Sequence, residues 1–314
     1  MEWSAKQEKN FQPQYVTQAF KVIRGGTGSS SDLAQEPAIG LSNGYESGVD
    51  GMTLVQLPAV RLQETVRFYV EVLGLTLEYP ERPIENHVFL RTQPRIGPGL
   101  HILETPIEEF RHLHGEAHGK LAEYAAFYVK SLKTLHDSLR QAGAAILQEP
   151  REGAMSFLDP EGHLIGAYEL PDSERKERFE TNITGFRHVQ LYVEDLNQSV
   201  LFFEQALGME TILADEEGVY AAVTSGEANQ PMIRLVPSMN AKPPQPMHWM
   251  LDGRPKHALE LHSKNIAALR ERVLEHGGSV KEALEFTGCG GYLKLYTPDG
   301  HYIWVNQDRA YCGY

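Results

Sequence analysis

The sequence predicts an α+β protein of two tandem domains, built from four strand–helix–three-strand (βαβββ) units paired as residues 51–170 and 183–308. Three observations carry that reading. A stretch of alternating apolar residues passing into a helical stripe occurs twice at a constant offset, at 54–79 and 185–213. A second strand–helix pattern follows each copy. Each second pattern ends in a similar turn, Asp159-Pro160-Glu161-Gly162-His163 and Thr297-Pro298-Asp299-Gly300-His301.

Residues 1–50 are expected to form a flexible leader. Their start is too polar for a secretory signal, and residues 24–51 are rich in Gly, Ser, Asn and Asp. In the first unit Val55 and Leu57 lie on a strand, Phe68 and Tyr69 on a helix, and Leu73-Gly74-Leu75 closes that helix. Strand-like segments follow at 87–91 and 100–104. In the second unit 123–129 is a strand, Leu132, Leu135 and Leu139 form a helical stripe, and Gly143 ends the helix. A final strand at 164–168 follows its turn. The charged, apolar-poor run SERKERFET marks the join between domains at 171–182.

The third unit shows the pattern most clearly. Val189, Leu191 and Val193 point one way along a strand, and His188, Gln190 and Tyr192 point the other. Asp195 caps a helix whose stripe is Leu196, Val200, Phe203 and Leu207. Gly208 closes it, a new strand begins at Glu210, and strand-like segments follow at 219–224 and 232–236. In the fourth unit 258–261 is the strand, Ile266, Leu269 and Val273 are the stripe, and Gly277 ends the helix. A last strand at 302–306 leads to a short tail at 309–314.

Composition narrows the function classes. At 314 residues the chain can bury two ordinary cores. A formal charge of -13 with no Lys/Arg-rich run argues against nucleic acid and anionic membrane as partners. No apolar run could span a bilayer. Two cysteines, Cys289 and Cys312, make neither a disulfide framework nor a structural zinc site, and suit a reducing cytoplasm. The expected partner is a small-molecule ligand; assembly into a homo-oligomer is left open.

The motif His188–Ser199, reading HVQLYVEDLNQS, resembles the vicinal oxygen chelate superfamily. That superfamily holds glyoxalase I, bleomycin-resistance proteins, fosfomycin-resistance enzymes and extradiol ring-cleaving dioxygenases. The FF…LGM and FYVEVLGL segments and the PEGH and PDGH turns extend the resemblance over about residues 51–308. It implies that each pair of units curls into an eight-stranded, incompletely closed barrel around a cavity. In the two-domain dioxygenases it also implies a divalent metal (Fe, Mn, Zn or Ni) in the C-terminal barrel, held by two or three His and Glu side chains. His188 matches the first ligand. The second comes from the KHALELHS strand, where the register leaves Lys256 or, with a one-residue bulge, His257 at the position. Trp304 stands where a ligand Glu is customary, and Arg234 where glyoxalase-type enzymes carry theirs. In the N-terminal domain the corresponding residues are Leu54, Tyr124 and Gly166, with His101 alone at a ligand position.

Glu260 and His262 face the cavity if Leu259 and Leu261 face the helix. The candidate metal set is therefore His188, His257, Glu260 and His262, while an ion pair of Glu260 with Lys256 or Arg234 is the structural alternative. Tyr292, Lys294 and Tyr296 alternate with Leu293 and Leu295. With Tyr192, Arg234 and Trp304 they supply a pocket wall suited to a planar organic ligand, and Tyr124 and Tyr128 are expected to face inward in the first domain. Ring cleavage would need a proton-transfer group, for which Tyr296 is the position. The imidazoles His112, His114 and His118 beside Glu116 form a loop cluster rather than a designed site, and Cys289 lacks a neighbouring base. Two functions remain: a divergent glyoxalase- or dioxygenase-like enzyme with a metal in the C-terminal barrel, or a metal-free binder of the bleomycin-resistance type. A scaffold with solidly packed cavities is the third.

Overall fold

Each unit folds as its apolar spacing requires. The computed structural model describes residues 48–92, 97–117, 120–170, 179–214, 221–224, 231–238, 245–287 and 290–308. Most of the leader, most of the join, the tail, and His118, Cys289 and Cys312 lie outside the described residues.

Unit one comprises β1 (Val49–Ala59), α1 (Leu62–Arg67), β2 (Thr76–Leu77), β3 (His87–Arg91) and β4 (Gly99–Glu104). Its helix does not stay regular: Phe68–Val72 winds as a π-helical turn, with Leu73 N–H donating to the Phe68 carbonyl at 3.2 Å. A hairpin, β5 (Gly115–Ala117) and β6 (Lys120–Ala122), then precedes unit two. That unit is β7 (Ala125–Val129), α2 (Leu132–Ala142), β8 (Ile146–Arg151), β9 (Ala154–Leu158) and β10 (Leu164–Glu169). Unit three is β11 (Ile183–Val193), α3 (Leu196–Gln205), β12 (Glu210–Ala214), β13 (Ala221–Thr224) and β14 (Met232–Pro237). A second hairpin, β15 (His248–Leu251) and β16 (Arg254–His257), leads into unit four. There follow β17 (Leu259–Ser263), α4 (Ile266–Glu275), β18 (Glu285–Thr287), β19 (Gly290–Tyr296) and β20 (Tyr302–Asp308). Neither hairpin is among the expected elements, although Asp252-Gly253, at φ 53° and 69°, is a two-residue hairpin turn written in the sequence.

The caps and stripes are where the residues place them. Asp195 accepts from Gln198 N–H at 3.0 Å, Ser131 from Thr134 N–H at 3.2 Å and Asn265 from Ala268 N–H at 3.1 Å. Leu132, Leu135 and Leu139 are buried, as are Ile266, Leu269 and Val273. No helix among the described residues is long and apolar enough to cross a membrane.

The twenty strands of the described residues form two eight-stranded mixed sheets and the two hairpins. The first sheet runs β2-β3-β4-β1-β17-β20-β19-β18, and the second runs β8-β9-β10-β7-β11-β14-β13-β12. Neither closes into a true barrel. Each joins two units through an antiparallel pair of first strands, β1 with β17 and β7 with β11. This corrects the sequential pairing: unit one shares a sheet with unit four, and unit two with unit three. All four first strands offer the same kind of hydrogen-bonding edge, so local pattern cannot choose between the two pairings.

Sequential units instead meet between the sheets, through the two turns. His163 Nε2 lies 2.9 Å from the Pro58 carbonyl at the end of β1, and Leu113 N–H points at its Nδ1 at 3.5 Å. His301 Nε2 lies 2.9 Å from the Tyr192 carbonyl of β11 while its Nδ1 accepts from Met247 N–H at 3.0 Å. The turn aspartates add to this. Tyr69 donates to Asp159 at 3.0 Å, and Ser199 donates to Asp299 at 2.7 Å. Gly162 and Gly300 sit at φ 88° and 80°, a region that suits glycine.

Burial is the main reason that the His301 pKa is pushed down, from 6.5 to about 4. The unfolded chain therefore takes up this proton first, so stability is complete above about pH 6.5 and falls as pH drops toward 4. Urea unfolding followed across that range should show the loss. His301→Ala should lower stability at pH 7 by about 2–4 kcal/mol, because it strands a buried donor and a buried carbonyl and leaves a cavity. An unchanged urea midpoint would show that the turn is not a structural tie.

Candidate functional site

Each sheet carries helices on one face and a polar face on the other. In β19 and β20 the leucines, Ile303 and Val305 are buried toward α4, which leaves Tyr292, Lys294, Trp304 and Asn306 on the opposite side. The two polar faces correspond position by position. Gln56 pairs with His101 in the first sheet, and Gln190 pairs with Arg234 in the second. Gln56 N–H donates to the Ala258 carbonyl at 2.8 Å, and Gln190 N–H donates to the Tyr124 carbonyl at 2.7 Å. His257, just before Ala258, therefore answers Glu123, just before Tyr124.

The first polar face is built from imidazole, indole and amide. The chain breaks its ladder at Ala258, between β16 and β17, and this break puts His257 on the same face as Glu260. That resolves the register in favour of His257. Its Nε2 lies 2.5 Å from the Gln56 amide nitrogen and 3.3 Å from Glu260 Oε2. The ring stacks on Trp304 at 4.3 Å between centroids. Glu260 also accepts from Asn306 at 2.6 Å and Thr53 at 3.2 Å. Burial opposes its charge, but the bonds from His257, Asn306 and Thr53 outweigh burial and hold its pKa below the usual range. His257 itself is pushed down to about 4 by burial, aided by Lys256 and Lys294. Across the face His101 stacks on Phe89 at 4.0 Å, and burial pushes its pKa down as well.

Several buried atoms on this face lack a partner: both ring nitrogens of His101, His257 Nδ1 and Gln56 Oε1. Lys256 is half-buried, with its ammonium 5.5 Å from the Trp304 ring and no carboxylate paired to it among the described residues. Lys294, by contrast, is paired with Glu282 at 2.7 Å and Glu285 at 2.9 Å.

The second polar face is closed by charge. His188 is fully buried, and its Nε2 lies 3.4 Å from Glu123 Oε1. Arg234 Nη1 is 3.6 Å from the same oxygen and 3.4 Å from His188 Nε2. Arg187 Nη1 lies 2.8 Å from His188 Nδ1, and Tyr168 donates to Glu123 Oε1 at 2.9 Å. Burial is the largest cause of the fall in the His188 pKa to about 4, with both arginines adding to it. His188 is therefore neutral at pH 7, and Glu123 is ionised.

The candidate metal set divides between the faces. His188 stands on the second sheet, Glu260 and His262 on the first, and His257 at the end of hairpin strand β16, against the face of the first. His262 turns toward Asp50 at 2.5 Å and Asp308 at 3.7 Å. Among the pocket candidates, Tyr292, Lys294 and Trp304 share the first face, while Arg234 lies on the second. Tyr192 does not line a pocket: it is buried, and its hydroxyl reaches the Ala122 and Glu123 carbonyls at 2.6 and 2.9 Å. Tyr124 is buried too, bonded to the Ala258 carbonyl across the sheets. Tyr128 stays half-buried near Arg187. Tyr296 stacks on Tyr302 at 4.8 Å and makes no hydrogen bond to a site histidine. Glu123, Arg187, Gln56 and Phe89 were not singled out by sequence. The correspondence of Glu123 with His257 was the available signal, visible only once the chain break is known.

The donors do not fit the implied divalent metal. Among the described residues no group of three or more His, Cys, Asp or Glu side chains is placed to hold one. The first face offers two imidazoles, His101 and His257, and one carboxylate, Glu260, which do not converge as a group, with Trp304 at the customary carboxylate position. The second offers one imidazole and one carboxylate, with a guanidinium against them. A recess of about 620 Å³ lies elsewhere, beside α1 and the turn at 159–162. Its Asp159 and Glu161 are already engaged by Tyr69, Thr65 and the Arg61 amide, so the polar faces are the better candidates.

Residues 185–305 match the family model for the Glyoxalase/Bleomycin resistance protein/Dioxygenase superfamily. Glyoxalase I from Zea mays is similar in structure, with a TM-score of 0.61 at 17% identity, covering 82% of this chain and 92% of that one. A candidate dioxygenase from Bacillus subtilis gives 0.62 at 16% identity, covering 83% and 86%. At such identities the likeness shows the fold alone. Comparison with curated proteins finds no match.

The packing around Glu123 can be tested. A Cβ on Gly115 of β5 would fall 2.2 Å from the Tyr192 ring. Gly115→Ala should therefore lower stability by about 1–3 kcal/mol, as overpacking against an anchored ring does. A thermal melt that matches the parent would show that Tyr192 is free to yield.

Proposed function

We propose that the chain, whose residues 185–305 match the glyoxalase/bleomycin resistance protein/dioxygenase superfamily model, binds a small planar, oxygen-bearing molecule without a metal, on the polar face of the first sheet. One observation supports this above others: His101, His257 and Gln56 all keep buried polar atoms without partners on that face. An unsatisfied buried donor or acceptor costs about 1–3 kcal/mol, and a ligand carrying hydrogen-bonding groups offsets that. The His257–Trp304 and Phe89–His101 stacks offer flat surfaces for an aromatic or conjugated ring. Lys256, half-buried and unpaired with any carboxylate among the described residues, favours an acidic oxygen on the ligand. The alternative, a dioxygenase- or glyoxalase-like centre, asks for a third metal donor where each face has Trp304 or Arg234.

Titration calorimetry with salicylate, 4-hydroxybenzoate and catechol as probes, with and without EDTA, tests the reading. At least one probe should bind equally in both conditions. Trp304→Ala and His101→Ala should each weaken it about tenfold or more, the size of about 1.4 kcal/mol. Lys256→Met should weaken the two carboxylates more than catechol. Binding that EDTA abolishes, binding that tracks His188 rather than Trp304, or no binding of any probe would overturn the proposal.

A further inference from the structure

We infer that Arg234 occupies the place of a metal ion on the second polar face, and that Arg187 holds His188 in the tautomer unsuited to binding one. The geometry begins with two donors. His188 Nε2 and Glu123 Oε1 are 3.4 Å apart, about the separation of neighbouring tetrahedral ligands whose bonds to zinc are about 2.0–2.2 Å. Arg234 Nη1 lies 3.4 Å from the first atom and 3.6 Å from the second. The guanidinium thus places a fixed single positive charge beside a donor pair with metal-ligand spacing.

Arg187 supplies the second part. A guanidinium N–H can only donate, so the 2.8 Å contact makes His188 Nδ1 the acceptor. Arg234 also points at Nε2, from 3.4 Å, but the shorter Arg187 contact and the Glu123 carboxylate, which can only accept, together put the proton of a neutral imidazole on Nε2. A metal at Nε2 would need the opposite tautomer, with Nδ1–H given to an oxygen acceptor. One arginine fills the position and the other withholds the lone pair. The counterpart face has neither: His101 answers Arg234, and His257 answers Glu123.

The inference makes this an ion-pair face with a latent metal site, which two substitutions should uncover. Arg234→Glu supplies a third donor, a carboxylate oxygen, and Arg187→Gln offers a carbonyl to Nδ1–H. Cobalt(II) titration followed by visible absorption should show no His188-dependent binding in the parent chain. The double variant should gain about one equivalent, at least tenfold tighter than any parent binding, and His188→Ala added to it should abolish the gain. Proton–nitrogen correlation spectra of histidine-labelled parent protein provide a readout that does not depend on a variant folding. They should show His188 protonated at Nε2. Nδ1–H in the parent, His188-dependent cobalt binding by the parent, or a folded double variant without His188-dependent binding would each overturn the inference.

Discussion

Two buried imidazoles tie the sheets together, and the placement of both polar faces depends on them. His163 reaches from the β9–β10 turn to the end of β1, and His301 reaches from the β19–β20 turn to β11. Each uses both ring nitrogens on main-chain groups, so each is satisfied only when the opposite strand is in register. β1 and β11 are also the strands that carry Gln56, His188 and Gln190. The same contacts that join sequential units therefore set the depth at which the functional side chains lie. Asp159 and Asp299 hold the turns from within, through Tyr69 and Ser199. The π-helical turn of unit one belongs to this arrangement, since Phe68 and Tyr69 are consecutive residues and both are buried.

The two faces have the same frame and opposite electrostatic outcomes. On the second, Glu123 lies among His188, Arg234 and Tyr168, and His188 is closed by Arg187. Charge there is compensated by neighbouring charge. On the first, His257 and Glu260 are satisfied by Gln56, Asn306 and Thr53, but His101 and the far side of His257 are left with bare polar atoms. Trp304 contributes a flat surface where the second sheet has Gly166, the residue beside Ala126 in β10. A small difference in residue identity thus turns one face toward an internal ion pair and leaves the other suited to a guest.

Much of this frame was legible in the residues. The stripe Leu132, Leu135, Leu139 and the Asp195 cap act locally, through helical spacing and a side-chain oxygen three residues from the N–H that donates to it. The alternation of Tyr292, Lys294 and Tyr296 with Leu293 and Leu295 likewise follows from the pleat. The hairpin β15–β16 turns on Asp252-Gly253, at φ 53° and 69°, a two-residue signal that was legible in the sequence. The hairpin β5–β6 carries no strong turn signature and was not legible. Nor was the role of Tyr192. Period two gives its side, but only Gly115, from a distant hairpin, covers the ring and turns a pocket candidate into a packed one.

By itself the sequence determined the four units, their helices and the residue types that each polar face could use. These depend on period, capping and turn chemistry, all of which act over a few neighbouring residues. Tertiary structure decided which first strands pair, because β1 could have joined β7 as well as β17 on hydrogen bonds alone. That choice separated His188 from His257 and Glu260, and it brought Glu123 and Arg234 to His188 instead. The chain break at Ala258 then decided that His257 faces the indole of Trp304. Pairing and register act between residues about two hundred positions apart in β1 and β17, and local pattern carries no information at that range.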